Sequence, residues 1–561
     1  MKRLPFIFIL VAMISASAVA QEIRAMWVDT FHAGLRDSTE TTALIAAARA
    51  AKCNAVFVEV RKRGDAYYRN GIEPTAADVA AGFDPLADLI LRGHTGTPRV
   101  EVHAWVVTYN IWNNETAAPT QPTHPYNLHP DWLTRNSAGA TWVGAAGAAG
   151  NYMLDPGHPE VQQHTYDVCM DIVSRYDVDG LHFDYVRYPD YNSSGGNQPW
   201  GYHPLALARF QKQTGSTGTP AATNASWLQW RRNQVTALVR KVYLNTWALK
   251  PGVRVSAALI VYGSAPTSLS LTSWQSSEAY ARVLQDWRGW MEEGILDLAC
   301  PMIYGTDNTR FDNWADFAKD RKYSRACAPS MGWYLNTVAN TITQIGLARD
   351  TSANGNTAAG MLGYSYAVPN SNAVSQDGTW ASLVAGPFST DVSVPAMPWK
   401  TNVAKGHAMG TVRASDTGGA LDGAIVTLTG PSARTLTTDA TGFFGAVDLP
   451  VGSYTASIAV PGFQPFTGTF IVSGGAVVQP ATQLDIVPFV ITANAYSAAG
   501  KTVAISWNSV PGRSYRVEQS QNLAQWTTTA AGVAAIATST SHVWTIPSGW
   551  TTRGFLRVAL E

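Results

Sequence analysis

The 561-residue sequence has no charge excess and, beyond its first twenty residues, no long apolar run. Its 40 basic residues equal its 40 acidic ones, so it lacks the electrostatic footprint of a protein that binds nucleic acid or an anionic membrane. No segment after Gln21 approaches the ~20 consecutive apolar residues that span a bilayer, so we do not expect a membrane-embedded chain. The balance favours a neutral partner over a strongly sulfated or polyuronic one, unless local charge in a cleft overrules the total.

Cysteine is also scarce, with four residues in the whole chain: Cys53, Cys169, Cys300 and Cys327. Each lies in an apolar run and none forms a CxxC pair, which argues against a zinc knuckle or a disulfide framework. We expect buried thiols, with one disulfide between Cys300 and Cys327 as the alternative. No HExxH motif or comparable triad is present, so no metal or other cofactor is expected.

The N-terminus has the three-part layout of a cleavable secretory signal. Lys2 and Arg3 precede an apolar run, and Ala18-Val19-Ala20 stands directly before Gln21. We therefore predict a signal peptide over residues 1–20 and a protein secreted to the periplasm or the extracellular space.

From Glu22 to about Trp399, short apolar runs alternate with longer helix-like segments, as in repeated βα units. This pattern predicts an α/β fold, a (β/α)₈ TIM barrel over residues 21–399. A long connection from about Asn110 to Asp155 is expected to build the binding cleft. The eight predicted strands are Arg24 to Thr30, Ala55 to Arg61, Arg99 to Thr108, Gly180 to Val186, Val253 to Val261, Leu296 to Tyr304, Ala326 to Trp333 and Gly360 to Tyr366. Predicted helices include Thr39 to Lys52, Pro159 to Tyr176, Ser226 to Leu249, Tyr280 to Glu293 and Asn340 to Asp350.

After Pro398 the sequence becomes rich in Thr, Gly, Val and Ala and loses its helical period, which predicts two small all-β sandwich domains. Residues 400–486, with GFFGAVDLPVGSYTASIAVPGF, resemble a carboxypeptidase-regulatory-like module. Residues 487–561, with WNSVPGRSYRVEQSQNLAQWT, resemble a fibronectin type III-like module. Neither module holds a cluster of catalytic groups. We therefore expect the two modules to act as spacers and to adhere to a cell surface or glycan, with sugar binding as an alternative.

Side chains of a barrel strand alternate between the lumen and the helix layer, and the more apolar set should face the helices. In the fourth strand this rule turns Leu181, Phe183 and Tyr185 outward. The side chains predicted to face the lumen are Trp27 and Asp29 on the first strand, Phe57, Glu59 and Arg61 on the second, Glu101, His103 and Trp105 on the third, and His182 and Asp184 on the fourth.

Several strings in this region, among them FVEVRKRGDAYYRNGIEP, LDPGHPEVQQ and YDVDGLHFDYVRYP, resemble the glycosyl hydrolase-like 10 family of bacterial glycosidases. The resemblance covers roughly Glu22 to Tyr366. It implies a TIM barrel, glycoside hydrolase activity and, for some members, cleavage of peptidoglycan strands freed of their peptides. Asp184 matches the first Asp of the family's HFDDYFYP motif, whereas Tyr185 replaces the second Asp, Arg187 stands where an aromatic residue is common, and Glu59 stands where the family often has Gln.

Most glycosidases use two carboxyl groups, one as the acid and one as the nucleophile or base. We expect Asp184 to be the nucleophile or base, because it faces the lumen near the C-terminal end of its strand. The positive charge of His182 and Arg187 would keep it ionised, and Arg187 would orient it. A purely structural ion pair of Asp184 with Arg187 or another basic residue of the lumen is the alternative.

The acid needs a raised pKa, and three residues qualify. Glu59 faces the lumen but has Arg61 nearby to neutralise it. Asp307 lies on the loop after the sixth strand, and Asp155 ends the long connection. The sequence does not choose among them, and we rank Glu59 and Asp307 equally.

The chain is rich in aromatic residues, with 20 Trp and 22 Tyr, and their flat faces suit the apolar faces of sugar rings. The aromatic platforms that we predict are Trp105, Tyr109, Trp112, Tyr304, Trp333 and Tyr366. The polar substrate contacts that we predict are Asp29, Arg61, Asp65, His103, Asp155, His182 and Arg187, of which Asp65 and His103, together with Tyr67, match polar positions of the family strings.

These features together predict a secreted glycoside hydrolase that cleaves a polysaccharide or oligosaccharide. The main alternative is a surface glycan-binding protein whose barrel has lost its acid, which the Tyr185 replacement favours. A carbohydrate deacetylase or lyase is a weaker alternative, because deacetylation requires a metal cluster or a serine nucleophile motif and neither is visible.

Overall fold

The computed structural model describes residues 20–144, 150–190, 199–480, 482–487, 490–550 and 553–561. The predicted signal peptide lies, except for Ala20, outside these residues. Within them, no helix has both the length and the apolar character needed to cross a bilayer.

Eight parallel strands close into a barrel, which confirms the predicted fold class. The seventh strand has two segments, of which Ala326–Cys327 pairs with the sixth strand and Ser330–Gly332 pairs with the eighth. The eighth strand pairs in turn with the first, and this pairing closes the cylinder. The remaining strands are Ile23–Val28, Ala55–Arg61, Glu101–Val107, Gly180–Asp184, Arg254–Leu259, Leu298–Pro301 and Gly360–Tyr364.

Helices surround the barrel, and three of them begin at a His-Pro pair, where the histidine ring accepts a backbone N–H and proline occupies the first turn. The predicted single helix from Tyr280 to Glu293 is wrong. Leu284 has φ +57°, which ends one helix before Asp286 caps the next. The helices are Ser38–Ala50, Pro85–Thr95, Pro125–Leu128, Pro159–Arg175, Pro204–Thr214, Ala225–Leu249, Leu271–Gln275, Glu278–Ala281, Trp287–Glu293, Asn308–Asp320, Val338–Arg349 and Gln376–Ala385.

Side-chain alternation in the strands follows the prediction with two exceptions. Trp27, Phe57 and Trp105 pack together in the lumen, separately from the core that joins the strands to the helices. Arg61 leaves the lumen, because a register shift follows Glu59. Tyr185 was predicted to face the helices, but the strand ends at Asp184 and Tyr185 turns into the barrel mouth with φ +49°.

The long connection after the third strand forms a small antiparallel sheet from Asn110–Trp112, Trp142–Val143 and Asn151–Met153. Within the described residues, it contributes only Asn110 to the pocket at the barrel mouth. This connection therefore contributes less to the pocket than we predicted.

The rest of the chain is all-β, as predicted, whereas the domain boundaries stay predictions. The first module packs on the barrel, where Arg209 binds both carboxylate oxygens of Asp422 at 2.8 Å and Trp247 contacts His407. Its strands are Lys405–Thr411, Arg413–Ala414, Ile425–Thr429, Arg434–Thr437, Phe443–Pro450, Gly452–Ala459, Phe466–Val472, Val477–Val478 and Gln483–Leu484. The second module consists of Ile491–Ser497, Thr502–Asn508, Ser514–Ser520, Thr527–Ala534, Ser539–Thr545 and Phe555–Leu560.

All four cysteines are buried free thiols. The alternative of a disulfide between Cys300 and Cys327 is therefore not supported by the structure.

Candidate active site

A pocket of about 350 Å³ opens at the C-terminal ends of the barrel strands. This is the face where barrel enzymes bind their substrates. Five of the predicted site residues line it, namely Glu59, Trp105, Asp184, Arg187 and Tyr304. The pocket thus brings together one candidate acid and the candidate nucleophile or base.

Asp184 is the last residue of the fourth strand and is 7% exposed. The left-handed conformation of Tyr185 turns its backbone N–H back toward Asp184, where it donates to Oδ1 at 2.7 Å. Burial raises the pKa of Asp184, while this hydrogen bond and the positive charge of Arg187 oppose the rise. Asp184 is therefore a buried carboxyl group with a raised pKa, whose anion is favoured by Arg187 and by a backbone donor that the sequence did not reveal.

Glu59 lies on the second strand and is 2% exposed. Its Oε2 accepts hydrogen bonds from the backbone N–H and the hydroxyl of Thr30. Burial nevertheless raises the pKa of Glu59 to about 7, and the negative charges of Asp184 and Asp29 add to the rise. Glu59 therefore keeps a proton near neutral pH, which is the property that a general acid needs.

His182 does not line the pocket and does not carry the positive charge that we predicted. The indole N–H of Trp27 donates to its Nε2 at 3.1 Å, so its Nδ1 bears the proton and donates to the Ser256 hydroxyl at 2.9 Å. Burial lowers the pKa of His182 well below its usual value. His182 is thus a neutral residue of the lumen, and Arg187 alone of the two supports the Asp184 anion.

Aromatic rings form the floor and wall of the pocket. Tyr304 stacks on Tyr364 with ring centres 5.7 Å apart, and each of the two rings meets Trp27 in a T-shaped arrangement. Trp105 approaches Tyr364 at 6.4 Å. Such rings offer apolar surface to the C–H faces of a sugar.

Asp307 and Asp155 lie outside the pocket and have structural partners, so neither occupies the position of an acid. Asp307 is exposed and caps the helix Asn308–Asp320, where its side chain accepts the N–H groups of Thr309 and Arg310. Asp155 is fully buried and accepts hydrogen bonds from Thr134 and Gly157.

Two further polar residues have partners elsewhere. Arg61 forms a buried two-point ion pair with Glu73, at 2.6 and 2.7 Å, and donates to the carbonyls of Val107 and Thr108. His103 stacks on Phe57 at 4.1 Å and binds Glu101 near the start of the third strand, at the far end of the lumen. Neither residue lines the pocket.

The other predicted contacts also lie outside the pocket lining. Asp29 accepts the N–H groups of Phe31 and His32 beside the pocket, and Asp65 accepts the N–H of Arg63. The aromatic residues that belong instead to the surrounding core or pack on it are Tyr109, Trp112, Trp333 and Tyr366.

The sequence reasoning missed Phe31, Lys62, Arg63, Tyr262 and Tyr364, all of which line the pocket. Tyr364 could have been found, because strand alternation places it on the same side as the lumen residue Leu362. Lys62 and Arg63 directly follow the second strand, where a barrel loop begins. Strand alternation does not extend to residues of a loop, so it gives no signal for them.

The family and the curated proteins that the barrel region resembles are all described as glycosyl hydrolases or glycosyl hydrolase-like. The family described as "Glycosyl hydrolase-like 10" matches residues 22–346, and "Carboxypeptidase regulatory-like domain" matches residues 409–485. "Glycosyl hydrolase YngK" of Bacillus subtilis (strain 168) is 27% identical over 375 residues, which are 63% of this chain and 67% of that protein. "Glycosyl hydrolase DigH" of Escherichia coli (strain K12) is 28% identical over 290 residues, which are 47% of this chain and only 59% of that protein.

Among solved structures, an α-L-fucosidase of Paenibacillus thiaminolyticus aligns with a TM-score of 0.46 and 10% identity, over 96% of this chain and 99% of that one. The catalytic domain of a β-amylase from Paenibacillus polymyxa aligns with a TM-score of 0.43 and 12% identity, over 66% of this chain and 99% of that one. The predicted resemblances of the barrel and of the first β module are confirmed by the family matches. The fibronectin type III-like resemblance of residues 487–561 stays a prediction.

Proposed function

The chain belongs to the glycosyl hydrolase-like 10 family, and on this premise we propose that it hydrolyses glycosidic bonds with Glu59 as general acid and Asp184 as nucleophile or base. The observation that carries the proposal is that two buried carboxyl groups line one aromatic pocket in different environments. Two titratable groups whose surroundings push their pKa values apart are what acid/base division of labour requires.

The two environments support this division of roles. Glu59 is buried beside the negative charges of Asp184 and Asp29, which favour its protonated form. Burial raises the pKa of Asp184 too, but a backbone N–H and the positive charge of Arg187 oppose this rise and favour its anion. When the two carboxyl groups share one proton, Glu59 therefore holds it.

In the reaction, Glu59 transfers its proton to the glycosidic oxygen as the bond from that oxygen to the anomeric carbon breaks. Asp184 either attacks the anomeric carbon, forming an ester that water then hydrolyses, or removes a proton from the water that attacks directly. In both cases one water is consumed and two hydroxyl-bearing sugars leave. The rings of Trp27, Trp105 and Tyr364 hold the sugar against the two carboxyl groups.

For the substrate and location we propose peptide-free peptidoglycan strands, acted on by a secreted enzyme. The support is the family resemblance together with the signal-like residues 1–20. The two β modules are proposed to hold the barrel near a cell surface or glycan, in keeping with their lack of a catalytic cluster.

The test is release of reducing ends from a glycan panel that includes peptide-free peptidoglycan strands. The protein without residues 1–20 is compared with Glu59→Gln, Asp184→Asn and Asp307→Asn. Loss of at least about a hundredfold in rate for the first two variants, with Asp307→Asn close to the parent, supports the proposal.

A second substrate separates the two roles. An aryl glycoside with an acidic phenol needs little protonation to leave, so Glu59→Gln should cleave it far better than it cleaves the glycan, whereas Asp184→Asn should cleave neither. If neither the parent protein nor any variant releases product but glycan binding persists, the protein is a glycan-binding protein and the catalytic assignment is wrong.

A further inference from the structure

Basic side chains line the rim of the pocket although the whole chain is neutral. Lys62 and Arg63 come from the loop after the second strand, and Arg187 follows the fourth strand. The Lys62 ammonium lies 4.9 Å and the Arg63 guanidinium 4.8 Å from the ring centre of Phe31. One aromatic ring thus holds both cations of this loop at the pocket.

The side chains of Lys62 and Arg63, both half-buried, have no acidic partner within 4.0 Å among the described residues. Arg61, the preceding residue, is matched by Glu73. Arg310, which also lines the pocket, donates to the carbonyls of Val261, Gly263 and Tyr304. For Lys62 the partner found is the Thr30 carbonyl at 3.4 Å.

An unmatched cation inside a pocket is costly to desolvate, and burial lowers the pKa of Arg63. An incoming anion would remove this cost. A planar guanidinium binds a carboxylate with two parallel hydrogen bonds, and an adjacent ammonium adds charge.

We propose that Lys62 and Arg63 form a subsite for a carboxylate on the sugar, so that the substrate is an acidic glycan despite the neutral total charge. The inference rests on the proposed hydrolase function for the placement of the sugar in this pocket. Two sources share the chemistry: the lactyl ether carboxylate of a muramoyl residue and the C6 carboxylate of a uronic acid. An attached peptide turns the lactyl carboxylate into a neutral amide, so the subsite disfavours peptide-bearing strands.

A rival role for Arg63 is to act on Glu59, since the positive charge of Arg63 and the negative charge of Glu59 interact. That role would change the cleavage of every substrate equally. The subsite changes only the preference between a charged glycan and its neutral counterpart, so the ratio of the two affinities is the quantity to measure.

The experiment is calorimetric binding to the chain without residues 1–20 that carries Glu59→Gln, a variant chosen to prevent turnover. The ligands are peptide-free peptidoglycan oligosaccharides and the same oligosaccharides with their carboxylates capped as methylamides. We expect the free carboxylate form to bind about tenfold or more tightly than the capped form, as for a hydrogen bond to a charged group. Adding Arg63→Gln or Lys62→Gln should bring the ratio toward one. Arg63→Lys keeps the charge but loses the two parallel hydrogen bonds, so it should retain only part of the ratio.

Lys212→Gln is the matched control, because Lys212 is an exposed cation on a helix of the same domain and lies outside the pocket lining. It should leave the ratio unchanged. A parent ratio near one, binding of neither ligand, or a ratio that survives both Arg63→Gln and Lys62→Gln would overturn the subsite.

Oligouronides, free and methyl-esterified, form the second arm and identify which carboxylate source is preferred. Turnover of the capped and free ligands by the protein with Glu59 intact tests the hydrolase function separately. Cleavage of both without preference leaves the hydrolase proposal standing and removes the subsite. Carboxylate-selective binding without any cleavage would support the subsite and contradict the hydrolase proposal.

Discussion

Glu59 and Thr30 are joined by two hydrogen bonds that converge on one carboxylate oxygen, at 2.8 Å from the backbone nitrogen and 2.6 Å from the hydroxyl. Both donors favour the anion, yet the pKa of Glu59 is about 7 because burial outweighs them. The pair therefore sets how strongly the candidate acid holds its proton, and several predictions depend on it.

The first concerns the rate. Because Glu59 must be protonated to act as the acid, kcat/KM should fall as the pH rises above about 7. Glu59→Gln should abolish this basic limb together with most of the activity. The check is a pH profile of reducing-end release for both proteins, and a parent profile that stays flat from pH 6 to about pH 9 would contradict the assignment.

The second concerns stability. The pKa of Glu59 is raised from 4.5 to about 7 in the folded state, so between these values the folded protein binds more protons than the unfolded chain and loses stability as the pH rises. Glu59→Gln should therefore be neutral near pH 4 and stabilising by about 3 kcal/mol near pH 9. Urea unfolding at both pH values measures the difference, and equal effects at both would show that the carboxyl is not buried.

The third concerns Thr30. Thr30→Val removes the hydroxyl donor but keeps the backbone donor, so the anion of Glu59 loses support and the basic limb should move up by about one pH unit. Thr30→Ser keeps the hydroxyl and serves as the matched control. A limb that moves equally in both variants would assign the effect to packing.

The fourth concerns Ser256, whose hydroxyl oxygen accepts a hydrogen bond from the protonated Nδ1 of His182. Ser256→Ala leaves that buried N–H without its partner and should lower the free energy of unfolding by about 1–3 kcal/mol. Ser264→Ala, at an exposed position, should stay within about 0.5 kcal/mol of the parent. Equal unfolding free energies for the two variants would mean that water replaces the serine.

The fifth concerns Asp307, which caps a helix instead of serving the pocket. Asp307→Ala should cost about 1 kcal/mol of stability, because the N–H groups of Thr309 and Arg310 lose their acceptor. Its kcat on the glycan should match that of the parent. A large loss of kcat with unchanged stability would return Asp307 to the list of candidate acids.

The sequence alone was enough to predict the closed barrel, the all-β modules and the lumen positions of Trp27, Glu59, Trp105 and Asp184. These follow from alternation within a strand and from periodic apolar residues, which are local properties of the chain. The family resemblance of the barrel was also readable from short strings, two of which, FVEVRKRGDAYYRNGIEP and YDVDGLHFDYVRYP, hold strand ends that line the pocket.

Only the tertiary structure decided which carboxyl group accompanies Asp184. Glu59 and Asp307 are equally plausible in sequence, but the choice depends on what each carboxyl group contacts. Glu59 accepts hydrogen bonds from Thr30, two residues beyond the end of the first strand, whereas Asp307 caps the first turn of a helix. Likewise, Arg61 and Arg63 are two residues apart, yet a register shift and the loop that follows send one to Glu73 and the other to the pocket. The contacts of Glu59, Arg61 and Arg63 form only when separate segments fold against one another, so alternation along a strand does not predict them.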